Sequence, residues 1–149
     1  MNNIDSLYRQ VIMEHYKNPR NKGLVDDESY HTLNLKNPSC GDDIHVQVKF
    51  ENNKIKDIRH NGTGCSICCS SASVMTEVLK NKSKEEANEV IEDFYSLIKG
   101  EEPVDPERLE EAIVYSGVAK FPARVKCATL AWKAVGAVIV GEQGEHIDE

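Results

Sequence analysis

The sequence predicts an α+β domain in which antiparallel strands pack with one face against helices. The N-terminal segment has helical spacing of apolar residues, whereas residues 44–50 alternate strictly between apolar and polar side chains. Helical patterning then returns after residue 64 and continues to residue 140. Helices that flank a block of strands are typical of this class, because a parallel sheet would need alternating strands and helices.

The first half of the chain supplies a helix and the strands. Residues 3–16 form the predicted first helix, which breaker residues end at 18–23. A short strand is predicted at 32–35, and residues 44–50 form a strand with one buried face. Asn52 and Asn53 indicate a hairpin turn into a return strand at 54–61, where Ile55 and Ile58 differ in parity and favour a bulge.

The second half is predicted to be helical. Residues 65–79 form one helix, and a capping box beginning at Ser83 starts another that ends at Gly100. Asp105 and Pro106 resemble an N-cap and first position of a helix reaching about residue 115, followed by a loop at 117–122. The final helix is predicted at 124–140, with a frayed acidic tail at about 142–149.

Length and charge limit the function classes. The 149 residues show no repeat or linker, so we expect a single domain over 1–149. A net charge of −7 argues against nonspecific binding to nucleic acid or to anionic membranes. No apolar run approaches the roughly 20 residues of a membrane span. Because the N-terminus also shows no secretory signal, we expect a cytoplasmic protein.

The five cysteines are therefore expected to be reduced thiols, which favours metal-binding, catalytic or packing roles over disulfides. Cys40 and Asp42 follow Pro38 in a predicted turn just before a strand. Cys65 comes directly after a glycine-containing turn at a helix start, where the helix dipole favours a thiolate.

Cys127 lies near the start of the last helix, beside the cations Lys120, Arg124 and Lys126. Neighbouring positive charge lowers the pKa of a thiol and makes it a better nucleophile or metal ligand.

Together with Asp42, three of these thiols could supply the four ligands of a tetrahedral zinc site. Separations of 25 residues between Cys40 and Cys65, and of 62 between Cys65 and Cys127, match no local metal signature. Unrelated small buried cysteines are the plain alternative. A CxxC motif formed by Cys65 and Cys68 at a helix start also resembles a redox pair, although no βαβ context surrounds it.

Three motifs resemble the IscU/NifU-N superfamily of iron–sulfur cluster assembly proteins. They are SCGD at 39–42, GTGC at 62–65 and RVKCATLAW at 124–132, and the N-terminal EHYKNP at 14–19 extends the resemblance over the whole chain. The resemblance implies a three-stranded antiparallel sheet with helices packed on one face, the SufE/NifU-like fold.

Within that superfamily the chain looks like the SufU branch. Lys126 stands where the IscU branch has a histidine before its last cysteine, and residues 81–104 resemble the helical insertion typical of SufU. The IscU motif for chaperone recognition, LPPVK, is replaced by FPARVK at 121–126. This difference argues against docking to an Hsp70-type chaperone.

The resemblance implies that Cys40, Asp42, Cys65 and Cys127 bind one zinc ion. It also implies a sulfurtransferase role, in which Cys40 accepts persulfide sulfur from a SufS-type cysteine desulfurase. The desulfurase thereby turns over faster. A histidine of the desulfurase is expected to replace Cys40 on the metal, and the sulfur is expected to reach downstream iron–sulfur assembly components.

Arg124 resembles a basic residue used in desulfurase docking; otherwise it is an exposed cation at a helix start. Lys126 could steer the anionic persulfide or simply be solvated. The alternative functions are a scaffold for a [2Fe–2S] cluster ligated by the three cysteines, and a structural zinc module. Cys68 and Cys69 stand where the family more often has small or polar residues. Packing in the first helical turns is their expected role, and a metal ligand or resolving thiol is the alternative for Cys68.

Overall fold

The computed structural model describes residues 3–142, and the tail predicted to fray lies outside these residues from residue 143 on. In chain order the elements are helix α1 (Asn3–Lys17), strands β1 (His31–Asn37), β2 (Asp42–Glu51) and β3 (Lys54–Thr63), helices α2 (Ser66–Leu79) and α3 (Lys84–Ile98), a 3₁₀ helix (Pro106–Lys120) and helix α4 (Pro122–Glu142).

The strands form one antiparallel sheet in the order β1-β2-β3, which confirms the predicted α+β class. Asn52 and Asn53 both have positive φ angles in the β2–β3 turn. The register between β2 and β3 shifts after Lys49, so that Lys56 has no partner residue on β2. This is the bulge that the parity of the β3 isoleucines predicts.

Helices α2 and α4 cover one face of the sheet, with α2 against β3 and α4 against β1 and β2. Alternate residues of β2 at positions 44, 46 and 48 are buried beneath them. Helix α1 packs on α2, and α3 packs on α4. In the helical core the Phe94 and Trp132 rings stack with centroids 4.0 Å apart, and Trp132 Nε1 donates to Ser71 Oγ at 2.9 Å.

The capping prediction for α3 is confirmed, because the Glu86 N–H donates to Ser83 Oγ at 3.1 Å. Asp105, in contrast, makes no side-chain capping bond at the start of the 3₁₀ helix. The carboxylate of buried Asp93 instead accepts the backbone N–H groups of Val104 and Asp105. Asp93 therefore anchors the residues that lead into the 3₁₀ helix, whereas the predicted side-chain cap from Asp105 is absent.

The predicted end near residue 115 and the predicted loop at 117–122 are wrong. The 3₁₀ segment is broken at Glu110, where φ is +51°, but it resumes and continues to Lys120, and α4 begins at Pro122. Its buried side chains, including Tyr115 and Val118, keep this segment packed on the core. Gly117 lies inside this helical segment beside the Tyr8 ring, where a Cβ would make an ordinary contact at 3.6 Å.

Across residues 3–142, no helix has the combination of length and apolar character that crossing a bilayer requires.

Candidate metal centre

The turn between β1 and β2 presents Cys40. The Cys40 N–H donates to Asn37 O at 3.1 Å, which closes the turn. Gly41 then takes a φ of +72°, a left-handed conformation that favours glycine. This backbone geometry leaves the Cys40 thiol half-buried at the surface and turns the next side chain, Asp42, inward.

Asp42 opens β2 and is only 2% exposed. Its Oδ1 accepts the Cys65 backbone N–H at 3.1 Å, and its Oδ2 accepts from Asn37 Nδ2 at 3.4 Å. Gly64 lies directly beside this carboxylate, because a Cβ there would be 2.6 Å from Oδ1. The carboxylate is thus held by two donors on opposite sides and by close backbone packing.

Cys127 lies in the second turn of α4 and is fully buried. The potential ligand atoms of Cys40, Asp42 and Cys127 all lie within 4.8 Å of one another. Burial raises the pKa of the Cys127 thiol, and hydrogen bonds with Cys40 and Asp42 raise it further. Two thiols and one carboxylate of the predicted site therefore lie close together, and two of these three groups are buried.

Cys65 is the N-cap residue of α2 and adjoins this group without belonging to the mutually close set. Besides its N–H bond to Asp42, it is near enough to Cys127 that its charge and a hydrogen bond raise the pKa of that thiol. The thiol of Cys65 is half-buried.

Arg124 is exposed in the first turn of α4 and reaches back over the site, with Nη1 3.9 Å from Cys40 Sγ. The thiols, led by Cys127, raise the pKa of its guanidinium, as expected for a cation next to acidic groups. Lys126 and Lys120 are exposed cations of the same region.

Cys68 and Cys69 stand behind the site on α2. Cys68 is 1% exposed, and burial raises the pKa of its thiol. Cys69 is half-buried and donates to Gly64 O at 3.6 Å. The packing role predicted for Cys68 is thereby confirmed, and Cys69 is the more accessible of the two.

A comparison with protein families matches residues 7–128 to the NifU-like N-terminal domain. The chain belongs to this family.

Its relatives place it in the IscU/NifU-N superfamily of iron–sulfur cluster assembly proteins, as its motifs predict. The zinc-dependent sulfurtransferase SufU of Bacillus subtilis (strain 168) is 44% identical over 142 residues, covering 95% of both chains. The iron–sulfur cluster assembly scaffold protein IscU of Streptococcus pyogenes serotype M1 is 41% identical over 139 residues, covering 93% of this chain and 86% of that protein.

A solved structure supports the same assignment. A crystal structure from Fervidobacterium islandicum AW-1, described as an iron–sulfur cluster assembly scaffold protein for the SUF system, matches with a TM-score of 0.74. It is 32% identical, and the match covers 87% of this chain and 94% of that one. The NifU-like N-terminal fold of this chain is therefore shared with solved members of the superfamily.

Two residues of this NifU-like site were missed by the sequence analysis. Asn37 is 6% exposed, and its Nδ2 donates to Asp42 and also lies 3.7 Å from Cys127 Sγ. Gly64 is the second, because any side chain there would collide with the Asp42 carboxylate. The only local signals are an asparagine before Pro38 in the cysteine turn and a glycine directly before Cys65.

Proposed function

We propose that this protein is a zinc-dependent sulfur-transfer protein of iron–sulfur cluster biogenesis. In this proposal it accepts persulfide sulfur from a SufS-type cysteine desulfurase and thereby stimulates that enzyme. The observation that carries it is the close grouping of a half-exposed thiol, Cys40, with two buried acidic groups, Asp42 and Cys127. The identity to a relative named as a zinc-dependent sulfurtransferase supports it.

The donor set fits a zinc ion. Zn–S bonds of about 2.3 Å and Zn–O bonds of about 2.0–2.2 Å bring tetrahedral ligands within 4 Å of one another. Cys40, Asp42 and Cys127 approach this with little adjustment, and Cys65 adjoins as the fourth candidate. When bound, zinc would keep these thiols deprotonated at neutral pH.

Cys40 is the acceptor in this proposal, because it is the more accessible thiol of the close group. Its thiolate attacks the terminal sulfur of the persulfide on the desulfurase. A new S–S bond forms on Cys40 as the old one breaks, and the desulfurase cysteine leaves as a thiolate, so that no external oxidant or reductant is needed. Fully buried Cys127 cannot meet a partner's cysteine in this way.

Arg124 has two roles in this proposal. Its guanidinium, 3.9 Å from Cys40 Sγ, stabilises the anionic sulfur before and after transfer. Its exposure, together with that of Lys126, also makes it available for docking the desulfurase and for steering the persulfide.

The test is a desulfurase assay with metal analysis on the same sample. Wild-type protein should contain about one zinc per chain and accelerate alanine release by the cognate SufS-type enzyme. Cys40→Ala should abolish the stimulation, whereas Cys69→Ala, a matched loss of an accessible thiol outside the close group, should retain it. Unchanged stimulation by the Cys40 variant would refute its assignment as the acceptor.

A scaffold for a [2Fe–2S] cluster is the second candidate function. The thiols of Cys40, Cys65 and Cys127 are suitable iron ligands, and a 41% identical relative is named as a scaffold protein. Anaerobic reconstitution with iron and sulfide separates the two functions. A stable, transferable cluster that forms in preference to retained zinc would favour the scaffold.

A further inference from the structure

A second group of potential metal ligands lies outside the thiol site. His15 of α1, Glu77 of α2 and Glu111 of the 3₁₀ helix each offer one ligand atom, and these atoms lie within 4.8 Å of one another. His15 Nε2 is 2.5 Å from Glu111 Oε1 and 3.8 Å from Glu77 Oε1. Three elements far apart in sequence therefore converge on one imidazole nitrogen.

The imidazole is held from behind by Ser73. His15 is 1% exposed, and its Nδ1 lies 2.7 Å from Ser73 Oγ. A carboxylate only accepts, so without a metal Nε2–H donates to Glu111 Oε1, and the Ser73 hydroxyl then donates to Nδ1. A metal ion would replace the proton on Nε2, and the ring proton would then lie on Nδ1, where Ser73 Oγ can accept it. Ligating histidines commonly have such a hydrogen bond on their other nitrogen.

The group opens to solvent through a cleft of about 360 Å³ that is lined in part by Glu77, Glu110 and Glu111. Glu77 and Glu111 are about half-exposed, at 48% and 49%, so an ion can reach them. Lys82 lies against Glu110 with its Nζ 3.3 Å from Oε2. Glu77 and Glu111 turn to His15 instead, which concentrates negative charge around the buried nitrogen.

We propose that His15, Glu77 and Glu111 form a second metal site, which binds a divalent first-row transition-metal ion. One imidazole nitrogen and two carboxylates, with positions left for water, suit ions of the Mn²⁺ and Fe²⁺ type. The thiol-rich centre favours softer ions, so the two sites differ in preference. Glu77 is twelve positions after Cys65, the N-cap of α2, which is about 18 Å along the helix axis.

The experiment is a Mn²⁺ titration of the purified full-length protein, followed by electron paramagnetic resonance. Mn²⁺ competes poorly for thiolates and therefore reports on nitrogen and oxygen sites. We expect about one bound Mn²⁺ per chain, with a hyperfine coupling to an imidazole nitrogen. Glu77→Gln should weaken binding by about tenfold or more. Glu110→Gln removes the same charge from the same cleft and should change it by less than about twofold.

Three results would overturn the proposal: no Mn²⁺ binding, bound Mn²⁺ without nitrogen coupling, or equal weakening in the Glu77 and Glu110 variants. The last result would indicate diffuse attraction to an acidic surface. Both variants change exposed or half-exposed side chains and leave buried His15 in place, so both should fold like the wild type. Stimulation of the desulfurase is measured separately, so that the two proposals can fail independently.

Discussion

A single methyl group at Gly64 tests whether the position of the Asp42 carboxylate matters for metal binding. A Cβ there would lie 2.6 Å from Asp42 Oδ1, about 0.8 Å short of the 3.4 Å at which ordinary contact begins. It would also lie 3.3 Å from Cys68 Sγ, so there is little room on the other side. The backbone φ of Gly64 is not positive, so the effect of Gly64→Ala is steric rather than conformational.

The carboxylate has to retreat, and this breaks the hydrogen bond that orients it. Its Oδ1 accepts the Cys65 N–H at 3.1 Å, and a lengthening of about 0.8 Å takes that contact beyond hydrogen-bond range. Misplaced ligands and supporting groups typically lower metal affinity by about 10- to 100-fold. We therefore expect Gly64→Ala to weaken zinc binding by that factor, or about 1.4–2.7 kcal/mol.

The assay is competition for zinc with a chromophoric chelator, alongside urea unfolding to establish that the variant folds. Gly136→Ala is the matched control, because a Cβ at Gly136 in α4 meets nothing within 4 Å. The control should keep wild-type zinc affinity and gain about 0.5–1 kcal/mol of stability. If Gly64→Ala binds zinc as tightly as the control, the Asp42 carboxylate is not a positioned ligand and the reasoning fails.

Three further predictions concern stability, each measured as the free energy of unfolding in urea. Ser83→Ala removes the acceptor for the Glu86 N–H and should cost about 1 kcal/mol; no change would mean that the cap contributes nothing. Phe94→Ala removes the ring stacked on Trp132 and should cost about 3–5 kcal/mol; a loss below about 1 kcal/mol would contradict tight packing there. Burial lowers the pKa of His60 to about 4, so the native ring stays neutral while the unfolded chain takes up a proton below its ordinary value of about 6.5. The contribution of neutral His60 to the free energy of unfolding should therefore be complete above about pH 6.5 and fall towards pH 4 by up to about 1.4 kcal/mol per pH unit. His60→Gln should flatten this dependence of stability on pH. Parallel wild-type and variant curves would disprove the lowered pKa of His60.

Local patterns in the sequence were enough to predict the strands and the turn that carries Cys40. The alternation of apolar and polar residues predicted β2, and the parity of Ile55 and Ile58 predicted the bulge in β3. Both signals depend only on which face of the sheet each side chain occupies. The end of the 3₁₀ helix was missed since Gly117 was taken as a breaker. Gly117 instead lies inside the helical segment and packs beside Tyr8, more than a hundred residues earlier in the chain.

The residues of the candidate sites likewise divide into those with a local signal in the sequence and those placed by contacts between distant segments. Cys40, Asp42 and Cys127 could be singled out because each stands near the end of an element, where a side chain can project. Asn37 could not, because its contact with Cys127 spans 90 residues. His15 meets Ser73 and Glu111 across 58 and 96 residues, and no local pattern records such a meeting.

The stacked Phe94 and Trp132 rings in the helical core give this protein an intrinsic fluorescence probe. Trp132 is the single tryptophan of the chain, is fully buried, and lies between the Phe94 ring and the Ser71 hydroxyl. Its fluorescence therefore reports on the junction of α2, α3 and α4 without any added dye. Because α4 also carries Cys127 five residues earlier, this emission shows whether a variant at the candidate metal centre has kept its core.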